Sequence, residues 1–184
     1  MEERKNINKV VGVLHATDKK AYEARGESYY LAYIERSGVT IPIITSKYFA
    51  STFNGKKVEC TGVICTASSE VYEICQILSY FYCVVINECP EDTRDTGYVR
   101  IEGFVKKLWN IELTPSNSVV RKLKLECSIE LDKQTTRSAP CRCFSTVARK
   151  SLELQEGNYI EAEGYLSGNK RSIRVVLKKY KKIS

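Results

Sequence analysis

Two eight-residue segments in opposite halves of the chain set the tightest limit on what it can fold into. Residues 55–62 read GKKVECTG and residues 157–164 read GNYIEAEG. Both are G-x6-G, with Val58 matching Ile160, Glu59 matching Glu161 and the small Cys60 matching the small Ala162. A segment of helical character precedes each one, at residues 46–53 and 145–152, and a strand-like run precedes that, at 39–44 and 139–144. Further upstream, each half holds a strand-like run with a central glycine, VVGVLH around Gly12 and RIEGFVK around Gly103. The order in both halves is three strands, a short helix and two strands.

A chain of 184 residues accommodates two such units, since small domains of roughly 90 residues are ordinary. Glycine inside a strand permits the sharp coiling that lets one strand serve two sides of a closed sheet. Five strands with a helix between the third and fourth is the plan of the oligonucleotide-binding (OB) fold. The expected class is therefore all-β, with two five-stranded OB barrels in tandem, each carrying a short helix between its strands 3 and 4. A generic β-sandwich or another small barrel is the alternative on the same pattern. The expected division is an N-terminal barrel at 1–87, a linker at 88–97 and a basic C-terminal barrel at 98–184. The linker reading rests on the polar run ECPEDTRDTG, whose Pro90 and acidic residues cannot form a core.

Strand chemistry supports this elsewhere. Residues 10–15, 28–36 and 39–44 are rich in β-branched residues and tyrosine, and the apolar run 77–86 reads as a buried strand. Residues 122–131 alternate: Leu123, Leu125, Cys127, Ile129 and Leu131 face one way, and Lys122, Lys124, Glu126, Ser128 and Glu130 the other.

Several function classes are disfavoured. No apolar run reaches the ~18 residues of a membrane span, so no membrane partner is expected. Residues 1–9 are charged and lack the apolar middle of a signal peptide, so a cytoplasmic location is expected. Seven of the eight cysteines, Cys60, Cys65, Cys75, Cys83, Cys127, Cys141 and Cys143, lie in apolar or alternating strand-like segments. No C-x-x-C pair occurs, and His15 is the only histidine. They read as small buried hydrophobes in a reducing compartment, with no metal and no cofactor. Without a nucleophile motif or a phosphate-cradling loop, an enzyme is not expected.

Charge is divided unevenly. Residues 1–92 carry 10 Lys+Arg against 12 Asp+Glu, and residues 93–184 carry 19 against 10, for nets of −2 and +9. A basic excess confined to one half points to a polyanion site there.

The run APCRCFSTVARKSLELQEGNYIEAEGYL, from Ala139 onward, resembles the bacterial single-stranded DNA-binding protein family and its relative, the primosomal replication protein PriB. Ala148, Leu152, Gly157, Ile160, Ala162 and Gly164 sit where that family's helix-to-strand pattern wants them, while Gln155 and Glu156 replace its basic residue before the glycine. The resemblance covers about residues 98–178, and the N-terminal half joins it through the internal repeat. It implies an OB barrel that binds single-stranded DNA. Family members are often dimers or tetramers, and two barrels in one chain can stand in for a dimer. Replicative members end in a flexible acidic tail, whereas this chain ends KKYKKIS. That departure implies an accessory binder in replication, recombination or mobile-element maintenance.

Binding single strands without sequence preference needs cations that follow the phosphates and flat side chains that stack on bases. On the first strand of the C-terminal half, Val99, Ile101, Gly103 and Val105 are expected inward and Arg100, Phe104 and Lys106 outward. Lys107 and Trp109 follow at the strand end, Arg121, Lys122 and Lys124 lie on the second strand, and Arg142 and Phe144 share a face of the third, opposite Cys141 and Cys143. Lys170 and Arg171 occupy the tip of the last hairpin, with Arg174 beyond it. The resemblance places Phe144 near a stacking aromatic of the family. Packing is the alternative for each aromatic, and a solvated frayed end is the alternative for residues 178–182. The many tyrosines of the N-terminal half, with no basic excess around them, read as packing residues. Rival functions are an OB-fold adaptor in a replication or conjugation complex, and an RNA-binding protein.

Overall fold

The computed structural model of the chain describes residues 8–129 and 132–184, with side chains over 8–127 and 137–184. The expectations placed on residues 1–7, and on the facing of Ser128, Ile129, Glu130 and Leu131, lie outside the described residues.

In the first half, β-branched and tyrosine-rich runs form β1 (Asn8–Ala24), β2 (Glu27–Arg36) and β3 (Val39–Ser46). Helix α1 (Lys47–Thr52) follows directly, started by the Ser46 hydroxyl, which accepts the Phe49 N–H at 3.3 Å. Then come β4 (Lys57–Thr66), a second helix α2 (Ser69–Cys75) and β5 (Ser79–Glu88). The strands close in the order β1-β2-β3-β5-β4, with β1 antiparallel to both β2 and β4 and β3 parallel to β5. In the second half, β6 (Tyr98–Leu108), β8 (Val119–Ile129), β9 (Asp132–Phe144), β10 (Tyr159–Asn169) and β11 (Ser172–Lys182) repeat that ring. Its order is β6-β10-β11-β9-β8, closed by the β6–β8 pairing, with β9 parallel to β11. Helix α3 (Ser145–Lys150) and a 3-10 turn (Ser151–Glu153) occupy the position of α1.

The repeated G-x6-G has the same physical cause in both barrels. Gly55 and Gly157 adopt φ +78 and +94, a region that costs side-chain-bearing residues roughly 1–2 kcal/mol. Gly55 N–H donates to the Leu14 carbonyl at 2.7 Å, and Gly157 N–H to the Val105 carbonyl at 2.8 Å. At Gly62 and Gly164 a Cβ would fall on the carbonyl oxygens of Tyr82 and Val176. These glycines are therefore dictated by the closeness of neighbouring strands around a small barrel.

Each barrel is filled from its own strands. Leu14, Ile34, Ile41, Ile43, Ile64 and Phe81 are fully buried in the first, and Ile101, Leu123, Leu125, Ile160 and Val175 in the second. Each such side chain contributes roughly 1.5–3 kcal/mol. Seven cysteines are free and buried among them, and Cys89 is half-buried. Burial pushes the Cys141 thiol well above its ordinary pKa, so it behaves as a small apolar residue.

The chain forms two compact units, Asn8–Gly97 with Ser167–Ile173, and Tyr98–Leu166 with Arg174–Ser184. Residues 88–97, polar enough to read as a linker, are tied to the first unit. Val11 N–H donates to Thr96 at 3.2 Å, Cys89 N–H to Lys57 at 3.0 Å and Ser37 N–H to the Asp95 carboxylate at 2.7 Å, while Lys57 pairs with Asp95. The tip of the β10–β11 hairpin belongs to the same unit. Leu78 N–H donates to the Arg171 carbonyl at 2.7 Å, and the Ser79 hydroxyl both donates to Ile173 O and accepts from Ile173 N–H.

Two elements were not expected. Cys75 ends α2 rather than lying in a strand-like segment, because the Ser68 hydroxyl caps Val71 N–H and Gln76 closes the helix at φ 58. The short β7 (Glu112–Leu113) pairs with the start of β8 around a turn at Asn117. The basic residues 178–182 belong to β11, anchored by Tyr180, whose hydroxyl donates to Glu153 at 2.9 Å.

Candidate nucleic-acid interface

Alternation along β6 buries Val99, Ile101, Gly103 and Val105, and leaves Arg100, Phe104 and Lys106 exposed. An irregularity between Val105 and Lys107 then brings Lys107 opposite Lys124 on β8. Across the next ladder, Lys122 stands opposite Arg142. Three adjacent strands thus place lysine against lysine and lysine against arginine on one outer face. Like charges directly opposite destabilise a sheet. Glu112 on β7 offsets part of this, 3.5 Å from Lys122. Partial burial lowers the pKa of Arg142, and nearby Arg174 lowers it further, against an opposing contribution from Glu112.

The aromatics border these cations. Phe144 is 36% exposed at the end of β9, opposite Val120, and Phe104 is 54% exposed on β6. Trp109 follows β6, half-buried, with the Lys107 ammonium 5.0 Å from its ring centre.

Other predicted residues take different positions. Arg121 lies opposite Cys143 and faces away from the lysines. Its guanidinium donates to the Trp109 carbonyl at 2.8 Å and to the Ser151 carbonyl, so it holds the Trp109 loop in place. Arg100 pairs with Glu161, in a cluster where Lys179 and Glu163 also pair at 2.8 Å. Lys106 pairs with Glu126 at 3.1 Å. Lys170 and Arg171 are exposed, but their hairpin tip belongs to the first unit and not to the face formed by β6, β8 and β9.

Tyr159 was missed. It lies opposite Phe104 across β10–β6, its ring meets the phenylalanine edge-on at 4.9 Å and 69°, and its hydroxyl donates to Glu102 at 3.0 Å. Alternation with buried Ile160 was the available signal that Tyr159 points outward.

The first barrel presents a different surface. Helix α2 packs on β1 through buried Val71 and Cys75. Burial, with Cys75 adding to it, raises the pKa of Tyr33. Tyr22 and Tyr29 stack at 4.9 Å and 20°, and Tyr29 meets Tyr82 at 5.9 Å.

Two closed five-stranded barrels in tandem, each with a helix between its third and fourth strands, define a tandem OB-fold protein. No family model and no curated protein matches the chain. Among solved structures it is similar to the wild-type single-stranded DNA-binding protein from Thermus aquaticus, with TM-score 0.72 and 14% identity over 99% of this chain and 94% of that one. A deletion mutant of that protein gives TM-score 0.72 and 15% identity over 100% and 97%. The PriB protein from Ralstonia solanacearum matches at TM-score 0.42 and 15% identity over 47% of this chain and 97% of its own. At these identities the Thermus likeness is one of fold, extending over both barrels. Among the described residues no helix is long and apolar enough to cross a membrane.

Proposed function

We propose that the chain binds single-stranded DNA, without catalysis and with little sequence preference, on the outer face of β6, β8 and β9. The carrying observation is the pair of like-charged cross-strand contacts, Lys107 with Lys124 and Lys122 with Arg142, beside Phe104, Phe144 and Trp109. A phosphate backbone turns that repulsion into attraction and releases counterions, while exposed rings accept bases. In this reading Lys106, Lys107, Lys122, Lys124, Arg142 and Arg174 follow phosphates and the three aromatics stack. Arg121 positions Trp109, while Arg100, Lys170 and Arg171 stand apart. The Thermus proteins of the same tandem fold are described as single-stranded DNA-binding, which supports the reading. A role in replication, recombination or mobile-element maintenance, in the cytoplasm, is part of the same proposal.

Trp109 is the only tryptophan, so its fluorescence reports on the site. Titration with oligo-dT should quench it, with affinity falling steeply as salt rises. A flat titration at low salt overturns the reading. It would favour a protein–protein adaptor, which the exposed Ile74 and Leu78 around α2, at 45% and 56%, suit for the first barrel.

A further inference from the structure

We infer that the bound strand does not end on β9 but continues over β11 to a second stacking platform, the Tyr98–Tyr165 pair, with Lys178 as its phosphate contact. The inference rests on the single-strand reading of the face formed by β6, β8 and β9. From that face the side chains lead onward strand by strand. Arg142 on β9 is level with Val176 on the parallel strand β11. Along β11, Ile173, Val175 and Leu177 are buried in the barrel, so Arg174, Val176 and Lys178 share the outer face. Arg174 is close enough to Arg142 to lower its pKa, and Lys178 lies one outward position past Val176. The Lys178 ammonium stands 5.2 Å from the ring centre of Tyr165 on β10. Tyr165 is in turn the direct cross-strand partner of Tyr98 on β6.

Both tyrosines have the exposure that stacking needs, 41% for Tyr165 and 58% for Tyr98. The Tyr98 hydroxyl donates to Glu163, which also pairs with Lys179 at 2.8 Å, so the ring is held and the carboxylate's charge is offset. Lys178, unlike Lys179, has no carboxylate partner among the described residues, which leaves its charge to a phosphate. A lysine beside exposed rings supplies together the two contacts that sequence-tolerant binding of single strands uses. The following rungs of the β6–β10 ladder set the limit of the path. There Arg100 stands opposite Glu163 and Glu102 opposite Glu161, and the excess of carboxylates repels phosphate. The path therefore ends at the Tyr98–Tyr165 rung.

The test is binding of the intact chain to oligo-dT of increasing length, across the ~4–16 nucleotides that OB barrels occupy, read by Trp109 fluorescence. Tyr98→Ser should lower affinity for the longest oligonucleotides roughly 5- to 100-fold and leave that for the shortest unchanged. Tyr98→Phe, which keeps the ring, should bind like wild type at every length. Lys178→Gln, at an exposed position, should reduce the slope of log affinity against log salt by about 1, again for long oligonucleotides alone. Melting curves of the variants verify folding. Losses equal at every length, no loss at any length, or a Tyr98→Phe defect as large as that of Tyr98→Ser would each overturn the inference and leave the single-strand reading standing. Absence of wild-type binding at every length removes the reading on which it rests.

Discussion

Lys122 and Arg142 are direct partners across the β8–β9 ladder, two cations held at the distance where a sheet ordinarily places opposite charges. Replacing both by glutamine should relieve repulsion and remove up to two phosphate contacts. The slope of log affinity against log salt is expected to fall by about 1–2, with a melting temperature unchanged or raised. A lowered melting temperature with an unchanged slope would assign the pair a structural role.

Phe144 ends β9 with 36% of its surface exposed. Phe144→Ala should weaken oligonucleotide binding by about 1–3 kcal/mol. Denaturant unfolding should show a much smaller loss, because the barrel core lies on the other face with Cys141 and Cys143. Affinity equal to wild type removes Phe144 from the site.

Arg121→Met tests positioning. The guanidinium bridges the carbonyls of Trp109 and Ser151; losing it removes a donor from each, although the Ser151 carbonyl keeps the Leu154 N–H, at a cost of about 1–3 kcal/mol. Stability should drop accordingly. The Trp109 emission of the unliganded protein should shift as its loop loosens, a signal that loss of a phosphate contact alone does not produce.

Asp95 gives the first unit an acid-sensitive tie. Burial alone would raise its pKa, but the Lys57 ammonium and the Ser37 N–H and hydroxyl together hold it below the ordinary aspartate value. A carboxyl depressed in the folded state contributes stability that is present above its unfolded pKa and lost as pH falls through the folded one. Asp95→Asn should therefore be less stable than wild type near neutrality, and the gap should close at strongly acid pH. Urea midpoints measured across that range check this, and a gap independent of pH would refute it.

Much of the architecture was readable in advance because it rests on local rules. Alternation on β6 and β8 assigned the inner and outer faces, and the paired glycines located equivalent turns in both barrels. Helix α2 was overlooked although Ser68 and Glu70 form a recognisable start, since its seven residues sit between apolar runs that read as strand. Arg121 was grouped with its lysine neighbours by proximity in the chain. Its position opposite Cys143 shows that a basic residue on the inward register can serve backbone carbonyls.

Composition, period-two patterning and the repeated glycines are properties of short segments. They were sufficient for two five-stranded barrels, a basic second barrel and the outward set Phe104, Lys122, Lys124 and Phe144. Which cations meet depends on pairing between strands far apart in the chain. The irregularity after Val105 aligns Lys107 with Lys124, closure of the ring places Tyr159 against Phe104 and Glu126 on its other side, and Ser79 holds the tip that carries Lys170 and Arg171. No local propensity encodes those registers, because each is set by which strand edges the closed barrels bring together.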